Sequence, residues 1–199
     1  MASTANRPLR LSPTPTWISL WFFLSSLFVL WDVSYLLLRP RSMVGGDLHW
    51  IWKPYALYAT IDHVRLYGLR AWESKDGFPS AQALMNIVET ALNWCYLFTR
   101  HISPSPISPL LGFTAAVMTL SKTVLYGLQD YFCGWCSSGH NPASTFIVLY
   151  LFPNVKCGPL MTPLLRLWVV MPAAIVVFLG RELASSLSVA TEARRSKTV

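Results

Sequence analysis

WISLWFFLSSLFVLWDVSYLLL, residues 17–38, is an almost entirely apolar segment whose single formal charge is Asp32. About 20 apolar residues suffice for a helix to cross the ~30 Å hydrocarbon core of a bilayer. The segment is too long and too aromatic for the core of a signal peptide, and no small-residue cleavage site follows it. It therefore predicts a permanent transmembrane helix.

Three further apolar segments, at residues 81–98, 109–131 and 144–180, indicate a polytopic protein. The chain is 53% hydrophobic with a mean hydropathy of +0.42, which is high for a soluble protein. We expect an all-α membrane bundle of about four transmembrane helices around an internal pocket, spanning residues 17–182. A disordered tail at 1–16 and a basic tail at 183–199 flank it.

The fourth segment is too long for one straight span, since as a helix it would measure about 55 Å. Its residues 155–166, VKCGPLMTPLLR, include two prolines, a glycine, Lys156 and Arg166. These residue types are poorly suited to a helix interior in lipid. We expect this stretch to loop out of the span or to break it.

The net charge of +7 does not indicate nucleic-acid binding, because the basic residues lie at span ends and in loops rather than on one helix face. Four spans place both termini on one side, with Arg7, Arg10 and Arg100. The loop at 130–141 lacks Lys and Arg, which favours cytosolic termini. The loop at 39–80 carries six basic residues, which favours the opposite orientation of the termini.

The loop at 39–80 is also rich in Trp and Tyr, in the run HWIWKPYALY at residues 49–58. Polar groups interrupt this run too often for it to cross a bilayer. Trp and Tyr suit the headgroup region, where an apolar ring and a polar edge are both satisfied. We expect the loop to lie along the membrane surface as a lid.

Two of the four cysteines, Cys133 and Cys136, form a CxxC pair. This spacing occurs in redox dithiols and in half of a zinc site. Neither a second CxxC nor a paired-His motif completes a metal site, and no thioredoxin-like pattern surrounds it. A disulfide or unreactive loop thiols are the favoured interpretation, and no metal or cofactor is expected.

Polar residues recur at helical spacing inside two of the predicted spans. They are Gln82, Asn86, Glu89 and Asn93 in the second, and Thr119, Lys122, Tyr126 and Gln129 in the third. Each set falls on one face of a helix. Together with Asp32 they predict a shared polar interior.

Two readings of this interior stay open. The polar groups could hold the helices together, with Lys122 paired to Glu89 or to Asp32. Alternatively, they line a pocket in which a shielded carboxylic acid retains its proton near neutral pH and acts as a general acid. An adjacent Lys122 would instead keep a carboxylate ionised and make it a base.

Several ordered landmarks resemble the emopamil-binding protein superfamily, whose shared region is the EXPERA domain. They cover roughly residues 20–182: Asp32 in WDVSY, the WKxYA pattern at 52–56, Glu89-Thr90, Val124-Leu125-Tyr126, Gly139-His140, Asn154 and the LWxxxP pattern at 167–172. The family includes sterol Δ8-Δ7 isomerase and the sigma-2 receptor. The resemblance implies a four- or five-helix bundle around a lipid-accessible pocket, with no cofactor.

The resemblance also implies roles for individual residues. Asp32 and Glu89 would be the catalytic acid and base. The residues expected to orient them or to contact the substrate are Tyr35, Asn86, Asn93, Lys122, Tyr126, Asn154 and Trp168, of which Trp168 would face a cationic intermediate.

The chain departs from the family pattern at two places. Phe28 stands where the sterol isomerase carries a His one turn before its first acid, so the isomerase's proton-donor pair is incomplete. Residues 155–166 separate Asn154 from Leu167, where the family has about one residue. They are either an insertion peculiar to this chain, which could disable it, or a retained intron.

We therefore expect an isomerase or cyclase of the endoplasmic reticulum membrane, acting on a sterol, terpenoid or similar lipophilic alkene. The alternative is a non-catalytic membrane protein that binds a sterol or a lipophilic amine, like the sigma-2 receptor. The expected partners are membrane lipids and a lipophilic small molecule, without nucleic acid, and a homodimer is left open.

Overall fold

Helices form the fold throughout the residues that the computed structural model describes, which are 14–55, 72–134 and 162–196. Within these ranges there are four long helices and no strand: α1 (Thr16–Leu37), α2 (Phe78–Leu97), α3 (Ser108–Phe132) and α4 (Thr162–Arg195). A 3₁₀ turn, His49–Trp52, follows α1, and a π-helical turn, Phe98–Ile102, ends α2. The predicted all-α class is confirmed for these residues.

Three stretches of these helices are long and apolar enough to cross a membrane: Thr16–Leu37, Ser108–Gln129 and Trp168–Glu192. The first and third predicted spans are thereby confirmed as helices of suitable length and composition. α2 forms where the second span is predicted, but its polar stripe makes it less apolar and it is not among the three. Its passage through the bilayer stays a prediction.

Prolines fix several helix boundaries. α1 ends at Leu37, shortly before Pro40, which cannot continue a helix. Pro79 and Pro109 lie in the first turns of α2 and α3, where a missing N–H costs no hydrogen bond. Residues 103–107, which include Pro104 and Pro106, form the short link between the π-turn and α3.

α4 differs from the prediction at both ends. Residues 162–166, predicted to lie outside the span, are its first five residues. Pro163 is the second residue of this helix, a position where the missing N–H of proline costs no hydrogen bond. The helix also continues beyond Gly180 to Arg195. The rest of the predicted fourth span, residues 144–161, lies outside the described residues.

Two apolar clusters lie at the two ends of α1. One packs the end of α1 against the following segment and contains Val33, Leu36, Trp52, Tyr55 and Ala83 among others. The other joins the start of α1 to the remaining helices and consists of Ile18, Phe22, Tyr96, Ala115, Ala116, Ile175 and Leu179. Large apolar side chains also remain exposed on all four helices, as a lipid-facing surface requires.

A close helix contact at Gly112 gives a first prediction. A Cβ at this position would lie 2.7 Å from Cδ2 of Tyr96 and 2.8 Å from Cδ1 of Leu179, both fully buried. Gly112→Ala should therefore lower the free energy of unfolding by about 1–3 kcal/mol. Thermal unfolding of the purified protein in detergent measures it.

The control for Gly112→Ala is Gly127→Ala on the same helix, where a Cβ meets nothing within 4 Å. There alanine should be neutral or stabilise the helix by up to about 1 kcal/mol. Equal unfolding temperatures for the two variants would contradict the close packing of α2, α3 and α4.

Candidate functional site

The polar stripe of α2 faces the inside of the bundle. Glu89 and Asn93 are buried and Gln82 and Asn86 are half-buried, whereas Leu84, Ile87 and Val88 are exposed. On α3 the stripe is likewise turned inward, with Thr119 buried and Lys122, Tyr126 and Gln129 half-buried. The predicted shared orientation of the two stripes is confirmed.

An ion pair joins the two stripes. Nζ of Lys122 lies 2.5 Å from Oε2 of Glu89, without the alignment of a hydrogen bond, and it also donates to Oδ1 of Asn86. The Glu89 residue is only 2% exposed. Of the two partners predicted for Lys122, the structure therefore selects Glu89. Losing either member would leave a buried charge uncompensated.

Asn93 links α2 to α1. Its Nδ2 donates to Oγ of Ser26 over 3.2 Å, and both residues are buried. One turn further along α2, the rings of Tyr96 and Phe22 pack with centroids 4.8 Å apart. His101 bonds Ser19 over 2.8 Å. Because residue numbers fall on α1 as they rise on α2, the helices run antiparallel.

Asp32 is held by the segment that follows α1. The hydroxyl of Tyr55 donates to Oδ1 of Asp32 over 2.7 Å, and the Tyr55 ring stacks on Tyr35 with centroids 4.6 Å apart. Nε1 of Trp52 donates to the carbonyl oxygen of Trp31. The described part of the predicted lid therefore packs on α1, with Trp52 and Tyr55 buried and Trp50 exposed.

The two candidate catalytic carboxyl groups, of Asp32 and Glu89, lie at similar heights along the helix axes but contact different residues. Ser26 is level with Asn93, so Glu89 is level with about residue 30 of α1, roughly 3 Å along the axis from Asp32. Glu89 contacts Lys122, and Asp32 contacts Tyr55.

A cavity of about 250 Å³ opens beside α1. Its lining consists of Trp17, Leu20, Trp21, Leu24, Ser25, Phe28, Trp168 and Met171, so neither carboxyl group borders it. Trp168 packs edge-on against Trp21, with ring centroids 5.2 Å apart. The predicted placement of Trp168 beside a ligand-sized space is consistent with this cavity, whose walls are apolar and aromatic.

The remaining predicted positions have mixed outcomes. Tyr35 is buried in the aromatic cluster around Tyr55 rather than beside the cavity. Asn154, Cys136 and Cys157 lie outside the described residues. Cys133 is disulfide-bonded, which agrees with the favoured interpretation of the CxxC segment.

Three residues at the site were missed from the sequence: Tyr55, Ser26 and Trp21. Tyr55 belongs to the WKxYA pattern, but nothing in that pattern connects it to Asp32. Ser26 was visible as half of a serine pair in an apolar span, where a hydroxyl needs a partner. Trp21 had no signal beyond its residue type.

Over the residues that the structure describes, these features define an all-helical protein with three candidate membrane spans, a buried Glu–Lys pair and an aromatic cavity. The chain has no significant match among protein-family models, curated proteins or solved structures.

The bond to Asp32 gives a second prediction. Tyr55→Phe keeps the ring stack on Tyr35 but removes the hydroxyl, and it should lower the free energy of unfolding by about 1–3 kcal/mol. Thermal unfolding measures this loss. The control, Trp50→Phe at an exposed neighbouring position, should change it little. An unchanged unfolding temperature for Tyr55→Phe would show that the bond does not hold the segment.

Proposed function

We propose that this protein is a membrane-embedded isomerase or cyclase that moves a proton on a sterol, terpenoid or similar lipophilic alkene. The main support is the depth at which α1 and α2 hold Asp32 and Glu89, in a bundle with few other acids. The resemblance to the emopamil-binding protein superfamily supports the same assignment. No cofactor takes part in the proposed reaction.

Lys122 distinguishes the roles of the two carboxyl groups. Its ammonium contacts Glu89, so we assign the role of the base to Glu89. Asp32, bonded to the neutral hydroxyl of Tyr55, is then the acid. Its proton adds to one carbon of an alkene, and Glu89 removes a proton from another carbon. One C–H bond forms and another breaks, so the product has the mass of the substrate.

The aromatic cavity supports binding of an apolar body. Trp17, Trp21 and Trp168 present ring surfaces that accommodate a rigid hydrocarbon and stabilise a nearby positive charge through the ring quadrupole. Asn86 and Tyr126 would orient the reacting groups, as would Asn154. Phe28 lines the cavity in place of the family's His, which favours a substrate other than that of the sterol isomerase.

The disulfide at Cys133 supports an orientation. Disulfides persist in oxidising compartments such as the lumen of the endoplasmic reticulum. Cys133 directly follows α3, so this end of α3 would be lumenal. Because α2 runs antiparallel to α1 and is joined to α3 by a short turn, the start of α1 lies on the opposite, cytosolic side. The absence of Lys and Arg from 130–141 favours the same orientation.

A binding protein without catalysis is the second candidate. The observation that favours it is that Glu89 is fully buried against Lys122, while the cavity is lined by neither acid. In that case the ion pair holds α2 to α3, and the cavity retains a sterol or lipophilic amine unchanged.

Mass spectrometry in D₂O distinguishes the two candidates. Microsomes containing the protein are incubated in D₂O with extracted sterols and terpenoids, and microsomes without it serve as the control. The proposed reaction yields an isomer that carries one added deuterium, because the acid exchanges its proton with solvent. A ligand that co-purifies with the protein and is returned without deuterium identifies the binding protein.

A further inference from the structure

The polar stripe of α2 extends further than the sequence indicated. Beyond Glu89 and Asn93 it continues through Tyr96 to Arg100, at intervals of four, three and four residues. The distance from Glu89 to Arg100 is about 16 Å along the helix. The stripe ends where His101 bonds Ser19 at an exposed position. It therefore connects the buried ion pair with one end of the bundle.

Buried polar atoms along this path have no hydrogen-bond partner among the described residues. They are Oγ1 of Thr90 and Oδ1 of Asn93, in residues that are 4% and 1% exposed. Oγ of Ser108, in the first turn of α3, is also buried and lacks a hydrogen-bond partner among the described residues. Leaving so many buried polar atoms without a partner would cost a large share of a protein's usual stability.

Water is the partner that such atoms ordinarily find. Buried waters in proteins bond two to four otherwise unsatisfied polar groups. At the outer end, the Tyr96 hydroxyl is hydrogen-bonded to Ser19 and Thr14 and lies within electrostatic reach of Arg100 and Glu182. These residues come from the segment before α1, from α1, from the π-helical turn after α2 and from α4, so polar groups surround this end of the stripe.

We propose that the inward face of α2 from Glu89 to Arg100 is a water-filled path through which protons pass between the Glu89–Lys122 pair and bulk water. The hydration follows from the unpaired atoms, whereas its use in turnover rests on the proposed function. One turnover leaves Glu89 protonated and Asp32 deprotonated. The path carries the proton of Glu89 to bulk water as H₃O⁺, and water returns one proton to Asp32.

Silver-ion accessibility of introduced cysteines tests the path. Ag⁺ travels in water and reacts with thiols that water reaches, because a thiol ionises readily only when solvated. Thr90→Cys is made in a Cys95→Ser background and exposed to Ag⁺ in microsomal membranes. Remaining thiols are then counted with a maleimide after denaturation. We expect modification within tenfold of the rate at Ile102→Cys, an exposed position near the proposed mouth.

The matched control is Ala91→Cys, one residue along α2 but on its outward face. It should react at least 100-fold more slowly than Thr90→Cys. Asn93→Cys provides a second site on the path if Thr90→Cys does not fold. Rates at the folded path variants no faster than at Ala91→Cys would overturn the path. This readout requires no turnover, so it stays separate from the test of catalysis.

Discussion

Replacing Glu89 by Gln is expected to reduce isomer formation by about 10²–10⁴-fold, the usual contribution of a general base. Gln has the shape of Glu but cannot accept the proton that the reaction removes from carbon. The measurement is the rate of deuterium-labelled isomer formation by the purified variant in lipid vesicles. Size-exclusion chromatography restricts the comparison to folded protein.

Two further variants make the Glu89→Gln result specific. Gln82→Ala changes the same stripe two turns away at a half-buried position, and it should retain turnover close to that of the unchanged protein. Glu89→Asp keeps a carboxylate and should retain more turnover than Glu89→Gln. Full turnover by folded Glu89→Gln would remove Glu89 from the chemistry.

Lys122→Met is expected to lower the free energy of unfolding by about 3–5 kcal/mol, because it leaves the Glu89 carboxylate buried without its partner. Met fills a similar volume, so lost packing contributes little. Denaturant or thermal unfolding in detergent measures the change. For a protein of ordinary stability, a loss of this size should also reduce the yield of folded material.

The exposed Arg41–Asp47 pair is the matched control. Its charged atoms are 2.6 Å apart, close to the separation in the buried pair, but both side chains are well exposed. The hydrogen bond from Arg41 lowers the pKa of Asp47. Asp47→Asn should nevertheless change the free energy of unfolding little, because water solvates either group alone. A loss as small for Lys122→Met would contradict the burial of the Glu89 pair.

The orientation of the polar stripes was predictable from the sequence, and the reason is local. Spacing of three and four residues places Asn86, Glu89 and Asn93 on one face of any α-helix, and the polar face of an apolar helix is expected to turn toward the inside of a bundle. Helix boundaries were predictable for the same reason, where Pro79 and Pro109 lie in first turns. Pro163 follows the same rule, but the charged and Pro-rich residues around it indicated a break instead.

Contacts between distant segments were not predictable in the same way. Lys122 had two acidic candidates, Asp32 and Glu89, and periodicity does not fix which helix face meets which neighbour. Tyr55 reaches Asp32 only because the segment after α1 folds back on it. The cavity beside Trp21 and Trp168 likewise depends on how α1 and α4 approach each other, which residue spacing within each helix does not determine.

The assignment of Glu89 as a base depends on a close pair between Glu89 and Lys122. A double-mutant cycle with Glu89→Gln, Lys122→Met and the combined variant measures their coupling free energy in unfolding. The pair seen here predicts a coupling of about 2–3 kcal/mol, with the combined variant more stable than Lys122→Met alone. Additive losses, with a coupling below about 0.5 kcal/mol, would contradict it.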